Sequence, residues 1–293
     1  MYLSDKHIIN NIESSIEDEL TRVGLFFRIF TRVKAVDSIN HKLKEKQTLY
    51  SNGSRKMQDV FGLRIILYFN DDVDTARLVV TKMFRERSQD NSIDELEDEK
   101  FAPTKYNVIY DLPDEHINVS AIIKHSQYID NTFEVQYRTI LSEGWHEVEH
   151  DLRYKCKHEW KDYSKQSRSL NGIFATLENT DLSMIHIFND LSYLNYKNRE
   201  WNALVRNTLR LRFVDSNLPT ELLELITNEP SIGKSILNLE RTKFLQVIIN
   251  SGYDLPITQA NIVFFINRAF IKNDALTALE NETLKFYFDR LCL

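Results

Sequence analysis

Apolar residues at Ile8, Ile9, Ile12, Ile16, Leu20, Val23 and Phe27 recur close to every 3.6 positions, and the spacing predicts helix over residues of about 5 to 50. A second helix is expected to start within that stretch at Asp37-Ser38, either of which can cap it, and to run through "INHKLKEKQTLY" until "SNGSRK" breaks the pattern. "DVFGLRIILYF" is a dense apolar run that reads as a buried strand, and "DVDTARLVVTKMFRER" as an amphipathic helix. The acidic "SQDNSIDELEDEK" reads as a solvated loop. "KYNVIYDLP" and "FEVQYRTI" read as strands, and "SEGWHEVEHDLRYKCKHEWKDYSKQ" as a helix. Beyond about residue 165 every patterned segment is helical, including "ERTKFLQVIINSG", which ends on Gly252. The expected fold is therefore α+β: a mixed sheet flanked by helices over 1–164, followed by an all-helical domain over 165–293.

Composition narrows the classes of function. With 293 residues and 42% apolar content, the chain can bury a substantial core. A net charge of −6 creates no global basic field toward nucleic acid or anionic lipid, although a local basic groove is compatible with it. The two cysteines, Cys156 and Cys292, form no C-x-x-C, which fits a reducing cytoplasm and gives no thiolate-zinc framework. The charged start "MYLSDKHIINNIESSIEDEL" lacks the apolar core of a signal peptide, and "IVFFINRAFI" is too short to span a bilayer. A cytoplasmic protein without a membrane segment is expected.

One string invites a metal reading. "HEVEH" (146–150) matches H-E-x-x-H, in which two histidines on one helix face hold zinc beside a general-base Glu. A zinc-protease helix lies buried beneath the substrate cleft, yet here Glu149 and Asp151 place charge between and just after the histidines. The nearest further candidate ligand, His158, falls eight residues past His150, with no intervening glycine of the metzincin kind. The residues fit a charged helix with two surface or hinge histidines better than a zinc site.

The context of the string resembles something else. "FEVQYRTILSEGWHEVEHDLRYK" is similar to the E-[IV]-Q-[IV]-R-T…W-A-x-I-E-H-D-L-x-Y-K segment of RelA/SpoT-type nucleotide pyrophosphokinases, small alarmone synthetases in particular. "DVFGLRIILYFNDD" resembles the family's D-[IL]-x-G-[IL]-R-[IV] strand, and "RVKAVDSINHKLKEK" its R-x-K-x-x-x-S-[IL]-x-x-K donor segment. The three blocks stand in the family's order over roughly residues 25–160. The resemblance implies a nucleotidyltransferase-like fold and a Mg²⁺-dependent transferase that uses ATP or a similar triphosphate as donor. Asp59 then matches the metal-binding Asp, and Glu134 the second catalytic carboxylate, which holds metal or activates the acceptor hydroxyl. Arg32, Lys34, Ser38 and Lys42 match the donor segment, and Arg32 and Arg64 match the arginines that sandwich the donor adenine. His146 and His150 become positioning or structural residues rather than a metal pair, with His150 also placed on the substrate side.

The residues themselves are compatible with those roles. Arg64 interrupts the apolar run "GLRIIL", where a charge is costly unless it is paired or opens to a pocket. Alternation in "EVQYR" places Glu134, Gln136 and Arg138 on one strand face, so all three can line a site. Taken singly, each also fits a bland reading: a turn-capping Asp, a solvated basic helix face, or the polar side of a strand.

One block departs from the pattern. The family's G-Y-R-S-x-H is matched here only by "KYNVIY" (105–110), in which Tyr106 can still stack on a base while Asn107, Val108 and Tyr110 replace the Arg, Ser and His. Losing that Arg removes a bidentate phosphate fork. The donor half therefore resembles the family more than the acceptor half does. This leaves three outcomes: pyrophosphate transfer to a different acceptor, such as an adenine nucleotide or a tRNA 3′ end, in the manner of toxic relatives; nucleotidyl transfer making a short signal, for instance in phage defence; or a catalytically inactive nucleotide sensor. The C-terminal helices match no catalytic motif and are expected to pack on the first domain, to mediate homo-oligomerisation or to take a regulatory partner. Aromatics such as Trp201, Phe213, Phe264, Phe265 and Tyr287 read as core there.

Overall fold

The computed structural model describes residues 3–45, 50, 56–94, 106–215 and 217–291. Most of "SNGSRK", the end of the acidic stretch, Lys105 and Cys292 lie outside the described residues. The chain divides into two compact units, residues 1–18 with 27–181 and residues 19–26 with 182–293.

α1 (Leu3–Val23), whose residues up to Asp18 belong to the first unit, buries the predicted stripe of Ile8, Ile9, Ile12 and Ile16. The expectation of near-continuous helix to residue 50 is corrected at Gly24. That residue adopts φ +79°, which only glycine takes readily, and the Leu25 amide returns to the Leu20 carbonyl to close the helix. The chain then forms a strand, β1 (Phe27–Val33), whose alternating exposure matches "FRIFTRV". α2 (Val36–Glu45) follows it. The helical period of α1 runs on into Phe27 and masks the switch to period two.

β2 (Phe61–Leu67) is buried except at Arg64. After it come α3 (Val73–Met83), β3 (Ser92–Ile93) and β4 (Tyr106–Asp111). The short helices α4 (Asp114–Val119) and α5 (Ala121–His125) lead to β5 (Thr132–Thr139). The five strands run in the order β1-β2-β5-β4-β3, with β2 and β5 parallel and the other pairs antiparallel, so the sheet is mixed as expected. β3 lies in the stretch read as solvated loop. α1 and α3 lie against one sheet face: Glu13 accepts from Thr31, and Arg77 and Thr81 of α3 meet Tyr106 and Tyr110.

α6 (Ile140–Glu149) opens on a capping box in which Thr139 and Ser142 satisfy each other's backbone amides. The helix expected to continue through residue 166 stops at Glu149, passes through a π-helical turn (His150–Tyr154), and yields to turns before α7 (Ser164–Asn198). A buried hydrogen bond from Thr139 to Asp181 ties α7 to the end of β5.

The second unit contains no strand among its described residues. It takes the end of α7, then α8 (Trp201–Leu209), α9 (Thr220–Asn228), α10 (Pro230–Leu237), α11 (Arg241–Ser251), α12 (Gln259–Ile266), α13 (Asp274–Leu279) and α14 (Glu282–Phe288). Trp201, Phe264 and Phe265 are core, whereas Phe213 and Tyr287 are half-buried. α10 approaches α8 so closely that a Cβ at Gly233 would sit 2.5 Å from the Trp201 ring, so only glycine fits. No described helix is long and apolar enough to cross a membrane.

Candidate active site

Strand alternation and register decide what meets on the sheet face away from α1 and α3. Glu134 stands opposite Gly62, Gln136 opposite Arg64 and Arg138 opposite Ile66. β1 adds Arg32 opposite Gly62 and Phe30 opposite Arg64, and β4 adds Asn107 opposite Gln136. An open cleft of about 240 Å³ lies here, lined by Phe30, Thr31, Arg32, Gly62, Leu63, Arg64, Glu134, Gln136 and Glu147. Gly62 leaves its floor free of a side chain, and the Arg32 side chain passes 3.5 Å from where a Cβ would be.

Polar contacts fix the groups around this cleft. The Glu134 carboxylate accepts from Asn107 Nδ2 on one oxygen and from Gln136 Nε2 on the other, each at 3.0 Å. Gln136 Oε1 in turn accepts from Arg64 Nε at 3.3 Å. The Arg64 guanidinium also binds Glu143 and Glu147, four residues apart on α6, and Arg138 binds Glu143 at 2.8 Å. Burial alone would lower the pKa of Arg64, but Glu143 and Glu147 outweigh it and hold the cation above its usual range. Arg138 is shifted the other way, by burial first and then by the neighbouring Arg64.

Asp59 lies two residues before β2 and belongs to a second cluster. Its Oδ2 accepts from Lys34 Nζ at 2.7 Å and Lys42 Nζ at 2.8 Å. Burial would raise its pKa, yet the two lysine hydrogen bonds prevail, and the carboxyl lies below the ordinary range. Its other oxygen, Oδ1, is buried and has no hydrogen-bond partner among the described residues. Asp59 precedes Gly62, the register partner of Glu134, by three residues, roughly 10 Å along an extended chain. Ser38 stands exposed on α2, one turn before Lys42.

Of the predicted residues, Arg32, Arg64, Glu134 and Gln136 line the cleft, with Arg138 joined to them through Glu143. Lys34, Lys42 and Asp59 meet in the neighbouring ion triad. Tyr106, expected to stack on a base, points to the other face of the sheet. There its hydroxyl donates to Asp74 at 2.6 Å, accepts from Arg77 at 3.3 Å, and its ring packs edge-on against Tyr137. Strand parity is the cause: on β4 it is Asn107 that shares the cleft face. Tyr106→Phe should therefore lower stability by about 1 kcal/mol while leaving catalytic constants unchanged, as chemical denaturation and steady-state kinetics would measure.

His150 does not line the cleft either. It is exposed in the π-helical turn, bonded to Asp151 at 2.9 Å and stacked on Tyr154. His146 packs between Trp145 and Phe174 and is held neutral, its pKa pushed down to about 3 by burial and by the Arg138 and Arg64 charges. The two histidines of "HEVEH" thus occupy different surroundings, and no metal-holding group of three His, Cys, Asp or Glu occurs among the described residues. Phe30 and Glu143 were not picked out by sequence, and Glu147 stood out only as the Glu of the H-E-x-x-H string. The available signals were the alternation in "RIFTR" for Phe30 and the i,i+4 spacing of the two glutamates.

Residues 31–159 match the family model described as a region found in RelA / SpoT proteins. No curated protein sequence matches the chain. Among solved structures, it is similar to a GTP pyrophosphokinase family protein from Streptococcus pneumoniae, with 20% identity and a TM-score of 0.47 over 65% of this chain and 95% of that one. It is also similar to small alarmone synthetase 2 from Bacillus subtilis, with 20% identity and a TM-score of 0.46 over 63% and 94% of the respective chains.

Proposed function

Residues 31–159 form a RelA/SpoT region, and from that premise we propose that the chain is a Mg²⁺-dependent transferase that moves pyrophosphate from ATP, or a similar triphosphate, to a nucleotide or RNA 3′-hydroxyl. The observation that carries this reading is the cleft between β1, β2 and β5, where Arg32, Arg64 and Glu134 converge beside the Asp59–Lys34–Lys42 triad. In the reaction the acceptor hydroxyl oxygen attacks the β-phosphorus, the bond to the α-phosphate oxygen breaks, and the nucleoside monophosphate leaves. Glu134 takes the hydroxyl proton, its carboxylate oriented by Asn107 and Gln136. Arg32 and Arg64 flank the donor base. Lys34 and Lys42 each carry three N–H donors, so they can bind phosphate oxygens while remaining on Asp59. Ser38, one turn from Lys42, adds a hydroxyl to that segment.

The buried, unpartnered Oδ1 of Asp59 suits one bond to Mg²⁺. Mg²⁺ commonly takes only one or two protein carboxylates and fills its shell with phosphate oxygens and water. Asp59, with Glu134 as second carboxylate, would hold it. When bound, the ion neutralises charge on the triphosphate.

The turn of Tyr106 away from the cleft and the presence of Asn107 in it support an acceptor other than an ordinary guanine nucleotide, such as an adenine nucleotide or a tRNA 3′ end. An alarmone-like product, or a toxin or phage-defence role in the cytoplasm, belongs to the same proposal. We place the functional boundary near residue 164, as sequence composition suggests. Ile187, Leu191 and Leu194 share one exposed face of α7 and supply an apolar surface for a second copy or a regulatory partner.

Arg64→Ala tests the site directly. Removing the guanidinium takes the Arg64 cation from Glu147 and leaves Glu143 with Arg138 alone. Titration calorimetry with Mg²⁺ and a non-hydrolysable ATP analogue should show at least a tenfold loss of affinity, the order expected for a charge-assisted contact of about 1.5–3 kcal/mol. Equal affinity in both proteins would remove the donor from this cleft.

A further inference from the structure

The geometry points to Phe30 as the platform on which the donor's purine base stacks, a role that deepens the proposed function and rests on it. β1 is an edge strand whose other face supplies Ile29 and Thr31 toward the packed side of the sheet. On the cleft face stand Arg28, Phe30 and Arg32. The fold asks nothing aromatic of the middle position: Phe30 is 54% exposed, although it lines the cleft.

Its register partner is Arg64, and directly opposed side chains on antiparallel strands have Cβ atoms about 4.5–5.5 Å apart. The two side chains therefore leave the sheet from adjacent positions and both line the cleft, and Glu143, Glu147 and Gln136 hold the Arg64 guanidinium. Arg32 lies one strand repeat away, across the bare floor at Gly62. Two flat cations and one exposed aromatic ring around an open floor make a surface for a large, flat, electron-rich heterocycle. A purine covers ring and guanidinium together, whereas a pyrimidine covers less. Aromatic side chains beside basic groups hold nucleobases in this way because stacking removes apolar area from water and every base has a π face.

The test uses the full chain and two probes, a non-hydrolysable ATP analogue and inorganic tripolyphosphate, each with Mg²⁺. Phe30→Ala should weaken binding of the analogue roughly tenfold, in line with base-stacking losses on alanine substitution. Tripolyphosphate, which has no base, should bind unchanged. The KM for ATP should rise by a similar factor with kcat nearly constant. Phe30→Trp should bind the analogue at least as well as the native protein, and Phe30→Leu, which keeps apolar bulk without a π face, should behave like Phe30→Ala and serves in its place if that variant folds poorly. The inference is overturned if Phe30→Ala binds the analogue like the native chain, if both probes weaken equally, or if Phe30→Leu restores full affinity. Phe30-dependent binding without any transfer would sink the transferase reading and leave the platform standing. Transfer with an unchanged KM in Phe30→Ala would do the reverse.

Discussion

Asp59→Asn should reduce transfer by about 10²–10³-fold, the range seen when one preorganised electrostatic contact to a transition state is lost. The substitution keeps the shape of the side chain but removes the charge that would hold Mg²⁺ and that Lys34 and Lys42 share. Two cations then face each other without their anion. The Asp59 side chain retains 25% exposure, so solvent screens part of this cost, and destabilisation of about 1–2 kcal/mol is expected. The variant should remain folded at 25 °C, which separates lost chemistry from lost structure. The effect on stability should also depend on pH. The folded-state pKa of Asp59 is depressed, so its stabilisation is full above the unfolded value of about 3.9 and disappears as pH falls through the lower folded value. His146, also depressed, loses stabilisation over a higher window, from about 6.5 downward, in both proteins alike. The stability difference between native chain and variant should therefore hold constant above about pH 5 and shrink only below about pH 4, as denaturant unfolding across pH would show.

Glu134→Gln should lower kcat by about 10²–10⁴-fold, the usual contribution of a positioned general base. Both native carboxylate oxygens accept from amide donors, Asn107 Nδ2 and Gln136 Nε2. A glutamine offers one acceptor and one donor, so one of those contacts becomes donor against donor. Gln136 can relieve the clash by flipping, but its oxygen then leaves Arg64. A structural cost of about 1–2 kcal/mol accompanies the lost base. Affinity for the ATP analogue separates two roles for the carboxylate: unchanged binding with collapsed kcat identifies a proton acceptor, whereas a parallel loss of Mg²⁺-dependent binding identifies a metal ligand.

The elements that build this site were legible in the sequence to different degrees. β2 and β5 stood out because a buried parallel pair concentrates Ile, Leu, Val and Phe, and because Arg64 and Glu134 interrupt or alternate with that apolar run. The alternation "EVQYR" correctly put Glu134, Gln136 and Arg138 on one face. β1 was hidden because the period of α1 continues across Gly24, and with it went Phe30, whose place in the cleft depends on strand parity. Parity also explains Tyr106, since one residue of phase moves a side chain to the opposite face. Glu143 and Glu147 carry no strong signal on their own. Only the fold, by setting α6 across the end of β2, turns an ordinary i,i+4 pair into the partners of Arg64.

The central claim is that this cleft transfers the two terminal phosphates of a bound triphosphate as one unit. The direct measurement incubates the full chain with Mg²⁺, a panel of nucleotide and tRNA acceptors, and ATP labelled in parallel at the α or γ phosphate. The account predicts γ-label on the acceptor, α-label in AMP, and loss of both products in Glu134→Gln. Label from the α position entering an oligonucleotide with release of free pyrophosphate, or no consumption of ATP with any acceptor, would contradict it.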